Sequence, residues 1–218
     1  MPRKKARDEA REARTGVYRQ HILEAAERVF AERGYEAAKV VDISNDCALS
    51  MGTIYAIFPG KAELHTALLE ERGEELLRLA SEVGARDLSP REALLALIDV
   101  YIDYFVAHPA FLRMHLRSGA SWALGPSSGT PTQMGYWQKI HALQSDIFRR
   151  GVALGEFVEE EPAYLAKMFS AMDQVLLADW VSGGMQADRD TLVRRLRDIV
   201  DRALCLPAAA TKRRSAGR

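Results

Sequence analysis

The chain has 218 residues, with 30 basic and 30 acidic side chains and a hydrophobic fraction of 48%. That fraction excludes a disordered polymer, and the absence of a long apolar run or an apolar leader after Met1-Pro2-Arg3-Lys4-Lys5 points to a soluble, cytoplasmic protein with no membrane partner. Two cysteines, Cys47 and Cys205, far apart and without CxxC or Cys/His spacing, exclude a disulfide framework and a zinc site and read as structural thiols.

Neutral overall, the chain is uneven in charge: residues 1–19 hold seven basic and three acidic side chains, and residues 207–218 hold four basic and none acidic. Residues 1–15 are expected as a flexible basic arm, which either follows a nucleic-acid backbone and adjacent minor groove or is a solvated tail. Lys212-Arg213-Arg214 read as a solvated tail.

Helix one is predicted from about Gly16 to Arg33, since Ile22, Leu23, Ala26, Val29 and Phe30 recur at the spacing of one helical face. Gly34 follows where a helix end needs positive φ. Helix two is predicted over Lys39 to Asp46, and helix three over Met51 to Ile57 with Ser50 as N-cap. Ala48, between them, must take a turn that glycine adopts more easily. Gly60 precedes helix four, Lys61 to about Val83. Ser89-Pro90-Arg91-Glu92 combines an N-cap, a first-turn Pro and a capping-box Glu, and opens a helix to about Ala107. Pro109 starts a shorter one ending near Arg117. Ser118 to Thr132, rich in Gly, Ser and Pro, is a long loop in which Trp122 and Leu124 favour packing over a free linker. Helices from about Met134 to Leu154, Pro162 to Val181 and Thr191 to Leu206 complete the chain. No alternating strand pattern is present, so the class is all-α.

The ordered series Arg19, Ala25-Ala26, Phe30, Gly34-Tyr35, Val40, Asp42-Ile43, Ser50, Gly52-Thr53-Ile54-Tyr55, Phe58, Lys61 and Leu64 resembles the N-terminal domain of the TetR family of bacterial transcriptional regulators. Its departures are Ala38 and Lys39 where the family usually has Thr or Ser, Ser44 where it has Ala, Cys47-Ala48 where it has Ala-Gly, and Ile57 where it often has His. The resemblance implies a three-helix DNA-binding head over residues 16–64 and a larger helical effector-binding and dimerisation domain over residues 65–206. It also implies a cytoplasmic homodimer on a palindromic double-stranded DNA operator, acting as a repressor.

Such a head places its second short helix in the major groove. Gly52 lets the backbone approach, Thr53 offers a hydroxyl or a methyl, and Met51 and Ala56 suit thymine methyls. Ser50 is chiefly a cap. By resemblance, Tyr55 and Lys61 contact phosphates; for Lys39, a phosphate contact and a solvated surface charge stand equally. Without Arg, Asn or Gln on this helix, shape and backbone contacts carry much of the specificity.

For the larger domain, the resemblance implies a small effector, expected to be mostly apolar and of unknown identity. The candidate lining is Tyr101, Phe105, Met114, Trp122, Trp137, His141, Phe148, Met172 and Asp173. Aromatic and Met residues at helical spacing are more often an ordinary core than a ligand box, and Asp173 equally serves a dimer interface. Leu165, Met168, Phe169, Met172, Leu176 and Trp180 offer more apolar surface than one small domain hides and point to association through the last two helices. No paired carboxylates, Ser/His/Asp set, phosphate-cradling loop or ligand-spaced histidines suggest catalysis, a metal or a cofactor. The remaining alternative is a helical ligand-binding or scaffolding protein without specific DNA binding.

Overall fold

The computed structural model describes residues 2–126 and 129–207. The basic tail Lys212-Arg213-Arg214, and Ser127-Ser128 of the long loop, lie outside the described residues. Among the described residues there are nine helices and no strand: α1 (Pro2–Ala37), α2 (Val40–Cys47), α3 (Met51–Ile57), α4 (Lys61–Gly84), α5 (Pro90–Ala107), α6 (Pro109–Arg117), α7 (Pro131–Leu154), α8 (Pro162–Ser182) and α9 (Arg189–Leu204). They form two compact units. The first comprises the chain up to Glu71 together with Ala110–Ser118; the second comprises Arg72–Pro109 and the chain from Gly119 onward.

In the first unit the predicted apolar face of α1 is buried: Ile22, Leu23, Ala26 and Phe30 close over Ile43, Ile54, Phe58 and Leu64. Burying such side chains stabilises by about 1.5–3 kcal/mol each. Gly34, at φ 78° and ψ 160°, breaks the α1 ladder where the sequence places a stop. Arg28 pairs with Asp46 at 2.6 Å and Arg33 with Asp42 at 2.7 Å, which ties α2 alongside α1. Helix α6 belongs to this unit because α1 holds both its ends. The buried Glu27 carboxylate accepts the Phe111 N–H at 3.2 Å in the first turn of α6, and Arg117 in its last turn donates to the Glu32 carbonyl at 2.9 Å. An anion at a helix N-terminus also satisfies amides that have no intrahelical acceptor.

The second unit is built on α5, α7, α8 and α9 around Leu94, Leu97, Ile98, Ile147, Phe148, Leu165, Phe169, Leu192 and Leu196. Helix α5 starts with the predicted capping box: Ser89 Oγ accepts the Glu92 N–H and Glu92 Oε2 accepts the Ser89 N–H. Arg189 of α9 reaches Asp99 at 3.1 Å and Asp103 at 2.6 Å on α5, Arg197 also pairs with Asp99, and Arg91 pairs with Asp201. The turn after α7 folds against the end of α9, where Val158 N–H donates to the Leu204 carbonyl and Leu206 N–H to the Glu156 carbonyl.

Three expectations are corrected. Helix α1 begins at Pro2, so residues 2–15 are helical where a flexible arm is expected. Beyond Pro2 that segment lacks Pro and Gly, and Gly16 alone costs only about 1 kcal/mol. Helix α7 begins at Pro131 rather than near Met134, because Thr130 and Gln133 form a capping box ahead of it. Leu165, Phe169 and Leu176 are buried within their own chain, so these three fill the core of one subunit instead of a surface between two.

Gly151 fixes the packing of the α7 turn: a Cβ there would lie 2.2 Å from the ring of Phe157, which is fully buried and tilted against Phe148 with ring centres 5.0 Å apart. Gly151→Ala is expected to destabilise the chain by about 1–3 kcal/mol, as overpacking does, and chemical denaturation will register a lower midpoint at unchanged slope.

Candidate nucleic-acid interface and ligand site

Helices α2 and α3 are joined by a tight turn in which Ala48 is left-handed, at φ 54° and ψ 29°. For a residue with a Cβ this costs on the order of 1 kcal/mol. Ser44 Oγ donates to the Leu49 carbonyl at 2.6 Å and secures the same turn. Asp42 accepts the Lys39 N–H at 3.0 Å, and this caps α2 in place of the absent hydroxyl at 38 or 39. Helix α3 begins as its sequence requires: Ser50 Oγ accepts the Thr53 N–H at 3.1 Å, with Thr53 Oγ1 2.9 Å away. Ile54 and the following Phe58 point inward, while Gly52, Tyr55 at 49% exposure and Ala56 face outward, with Met51 and Thr53 half-buried beside them. Lys39 is exposed at the start of α2.

Lys61 is engaged within the fold. Its ammonium donates to the carbonyls of Tyr35 (2.7 Å), Ala38 (3.2 Å) and Glu36 (3.3 Å) and lies 4.4 Å from the centre of the Tyr35 ring. An ammonium has three hydrogens, and all are directed at α1 and the chain after it. His65 completes this corner, with its ring 4.7 Å from Tyr35 and 5.2 Å from Phe30. Burial, aided by the charge of Lys61, holds its pKa below the ordinary imidazole value.

In the second unit, Tyr101, Phe105, Trp122, Trp137, His141, Phe148, Met172 and Asp173 lie on α5, the long loop, α7 and α8. Met114 is in the other unit, buried on α6. The loop is pinned at Trp122. Its carbonyl accepts from Trp137 Nε1 at 2.9 Å and from His141 Nε2 at 2.8 Å, its N–H donates to Gln174 Oε1, and its ring stacks 4.9 Å from Phe105. Gln174 also donates to the Ala120 carbonyl at 2.8 Å. Deeper, Ser170 Oγ donates to Gln144 Oε1 at 3.2 Å and Gln144 Nε2 donates to the Tyr101 hydroxyl at 3.1 Å. Phe148 packs between Phe157 and Phe169 and is core.

Gln144 and Ser170 were not among the sequence candidates, although each sits three residues from one, His141 and Asp173, on an otherwise apolar face. Burial lowers the His141 pKa against the opposing pull of the Trp122 carbonyl, so the ring is neutral at pH 7. Burial raises that of Tyr101 and pushes Asp173 up to about 8.

A short helix, a tight turn and a second short helix with an outward uncharged face, seated on a longer helix, define a helix-turn-helix DNA-binding head. Residues 22–68 match the family model of bacterial regulatory proteins, tetR family, so the head is a TetR-type DNA-binding domain. The repressor AcnR of Corynebacterium glutamicum is 41% identical over 66 residues, 30% of this chain and 35% of that protein; the chain spans less than half the length of this and other curated relatives that it matches over the head. The TetR-family regulator PfmR of Thermus thermophilus has the same fold, with a TM-score of 0.71 at 22% identity over 84% of this chain and 97% of that one. So does the regulator FadR of Bacillus subtilis, solved in complex with stearoyl-CoA, at a TM-score of 0.66 and 18% identity over 83% of this chain and 96% of that one.

Two outcomes follow from the geometry. Lys61→Met is expected to lower the stability of the head by about 1.5–3 kcal/mol, the scale of hydrogen bonds to a charged group, as an earlier thermal transition. Asp173→Asn is expected to stabilise the chain increasingly as pH rises from 4 to 8. In that window the unfolded carboxyl has already lost its proton while the folded one retains it, so ionisation favours unfolding of the parent. Urea titrations at pH 4, 6 and 8 will show the gap between parent and variant widening.

Proposed function

We propose that this chain is a ligand-responsive transcriptional regulator that binds double-stranded DNA as a homodimer, represses, and is released when a small molecule with a largely apolar body occupies the second unit. The observation that carries the DNA-binding part is the outward face of α3, where Gly52, Tyr55 and Ala56 are exposed beside Thr53 while Ile54 anchors the helix to its core. Helix α3 bears no charged side chain. Base discrimination then comes from the Thr53 hydroxyl and methyl and from apolar contacts of Met51 and Ala56 with thymine methyls. Tyr55, Lys39 and the hydroxyl of Ser50 face the backbone. Lys61 acts by positioning the ends of α1 and α4, and its ammonium is not counted among the phosphate contacts.

A homodimer is supported by the outer face of α8. Tyr164, Met168 and Val175 recur on one side of that helix, with Tyr164 at 52% and Val175 at 69% exposure. The outer face of α9 is charged by Arg194, Arg195, Asp198 and Arg202, so α8 supplies the apolar seam. Two α3 helices related by a two-fold axis would meet half-sites about 34 Å apart or at a related spacing, which calls for a palindromic operator. Stearoyl-CoA bound to a protein of the same fold supports a small-molecule ligand.

Selection from a random duplex pool tests the reading as a whole: enrichment of an inverted repeat is expected, and a pool that stays random after repeated rounds would refute it. Tyr55→Ala is expected to weaken selected and unrelated duplexes by similar factors, because a phosphate contact carries no sequence information, whereas Thr53→Ala will alter the selected sequence. Val175→Glu is expected to shift the mass from dimer to monomer in light scattering while the chain stays folded, since that side chain leaves its own subunit's core untouched.

A further inference from the structure

Asp173 is 3% exposed, on the face of α8 that enters the second unit, and among the described residues its Oδ1 has no hydrogen-bond partner. One turn earlier on that face, Ser170 joins Gln144 and Tyr101 in a bonded chain; next to it in sequence, Gln174 holds the backbone at Ala120 and Trp122. Among the described residues, the charged groups on neighbouring elements pair elsewhere or face solvent. Arg189 and Arg197 of α9 face Asp99 and Asp103 of α5, His141 of α7 is neutral at pH 7 and donates to the Trp122 carbonyl, Tyr101 of α5 is held protonated, and Lys167 of α8 is exposed. A buried carboxylate without a countercharge is costly, and aromatic side chains on the same elements suit a cation because ring faces are negative. Phe105 and Trp122 stack together, and Trp137 and His141 lie 4.3 Å apart.

We propose that the ligand of the second unit is an amphipathic organic cation, whose apolar body packs among Phe105, Trp122 and Trp137 and whose protonated amine or quaternary ammonium is recognised by the Asp173 carboxylate. This rests on the proposed sensor reading and names the chemical class of its ligand. An anionic head group in the same place would face an acid with no cation to offset it. A neutral one would leave the acid unpaired.

The proposal has a proton signature. The free Asp173 carboxyl, with its pKa near 8, is mostly protonated at pH 7, and pairing with a cation lowers that pKa and expels the proton. Affinity for the cation therefore rises between pH 6 and 8, by up to about tenfold per unit, and levels off above.

The test uses the full chain and a matched series of octyltrimethylammonium, octanol and octanoate, read by tryptophan emission and by calorimetry in two buffers of different ionisation enthalpy. Octyltrimethylammonium is expected to bind at least about tenfold more tightly than the other two and to release close to one proton per molecule at pH 7. Asp173→Asn is expected to abolish both the preference and the proton release while still unfolding cooperatively. Tighter binding of octanoate or octanol, no binding of the cation, or an unchanged preference in Asp173→Asn would overturn the proposal. If that variant does not fold, proton release and pH dependence in the parent decide, and absence of release overturns it. A cation that binds with this signature but leaves DNA affinity unchanged removes the sensor reading and keeps the assignment of Asp173. A neutral or anionic compound that weakens DNA binding equally in parent and Asp173→Asn does the reverse.

Discussion

The head depends on where the ammonium of Lys61 goes. A cation in the first turn of a helix faces the positive end of the helix dipole and is disfavoured there. Gly34 supplies the remedy: by breaking α1 it leaves the carbonyls of Tyr35, Glu36 and Ala38 without helical donors, and these are the three groups that Lys61 reaches. The Tyr35 ring beneath the ammonium adds a cation–π contact, worth about 0.5–2 kcal/mol by its burial. One side chain thus joins the end of α1, the entry to α2 and the start of α4. The orientation of α3 follows, since Ile54 and Phe58 pack into the core this junction closes.

The second unit has the opposite character. Its helices are held apolar face to apolar face, yet a polar seam runs through them from the Trp122 carbonyl past His141, Ser170 and Gln144 to Tyr101. Each of those groups finds a partner, as buried polar groups must in a low-dielectric interior, whereas among the described residues Oδ1 of the nearby Asp173 has none. The seam also anchors the loop at Trp122, which is gripped by α7 through Trp137 and His141 and by α8 through Gln174. The seam and the loop are therefore joined by direct hydrogen bonds at Trp122.

Much of this was legible because it is local. Ser50, Ser89, Pro90 and Pro109 mark helix starts through bonds made within a single turn, and the structure has them where the sequence puts them. The start of α7 was equally local, in Thr130 and Gln133, but was obscured by the Gly, Ser and Pro around it. What was not legible depends on long-range placement. Lys61 could be read as a cation at a helix start but not as a ligand of carbonyls more than twenty residues earlier, and Glu27 reads as one polar side chain on an amphipathic helix until Phe111 is set beside it. An apolar stripe likewise does not say whose surface covers it; Leu196 and Val175 are both apolar on the last two helices, one fully buried by its own chain and the other mostly exposed.

The grip of α1 on α6 also bears on how such a protein can be cut and recombined. The family-defining stretch is contiguous, residues 22–68, but the compact unit around it is not, because Ala110–Ser118, which follows α5 in the sequence, completes it. A fragment ending at Glu71 would leave the Glu27 carboxylate without its amide partner and strip the cover from the face of α1 that α6 occupies. The head is therefore not a cassette. A chimera that joins this head to another regulator's helical domain must carry α6 with the head, or choose a recipient whose own α6 offers a free amide to Glu27 and an arginine to the Glu32 carbonyl.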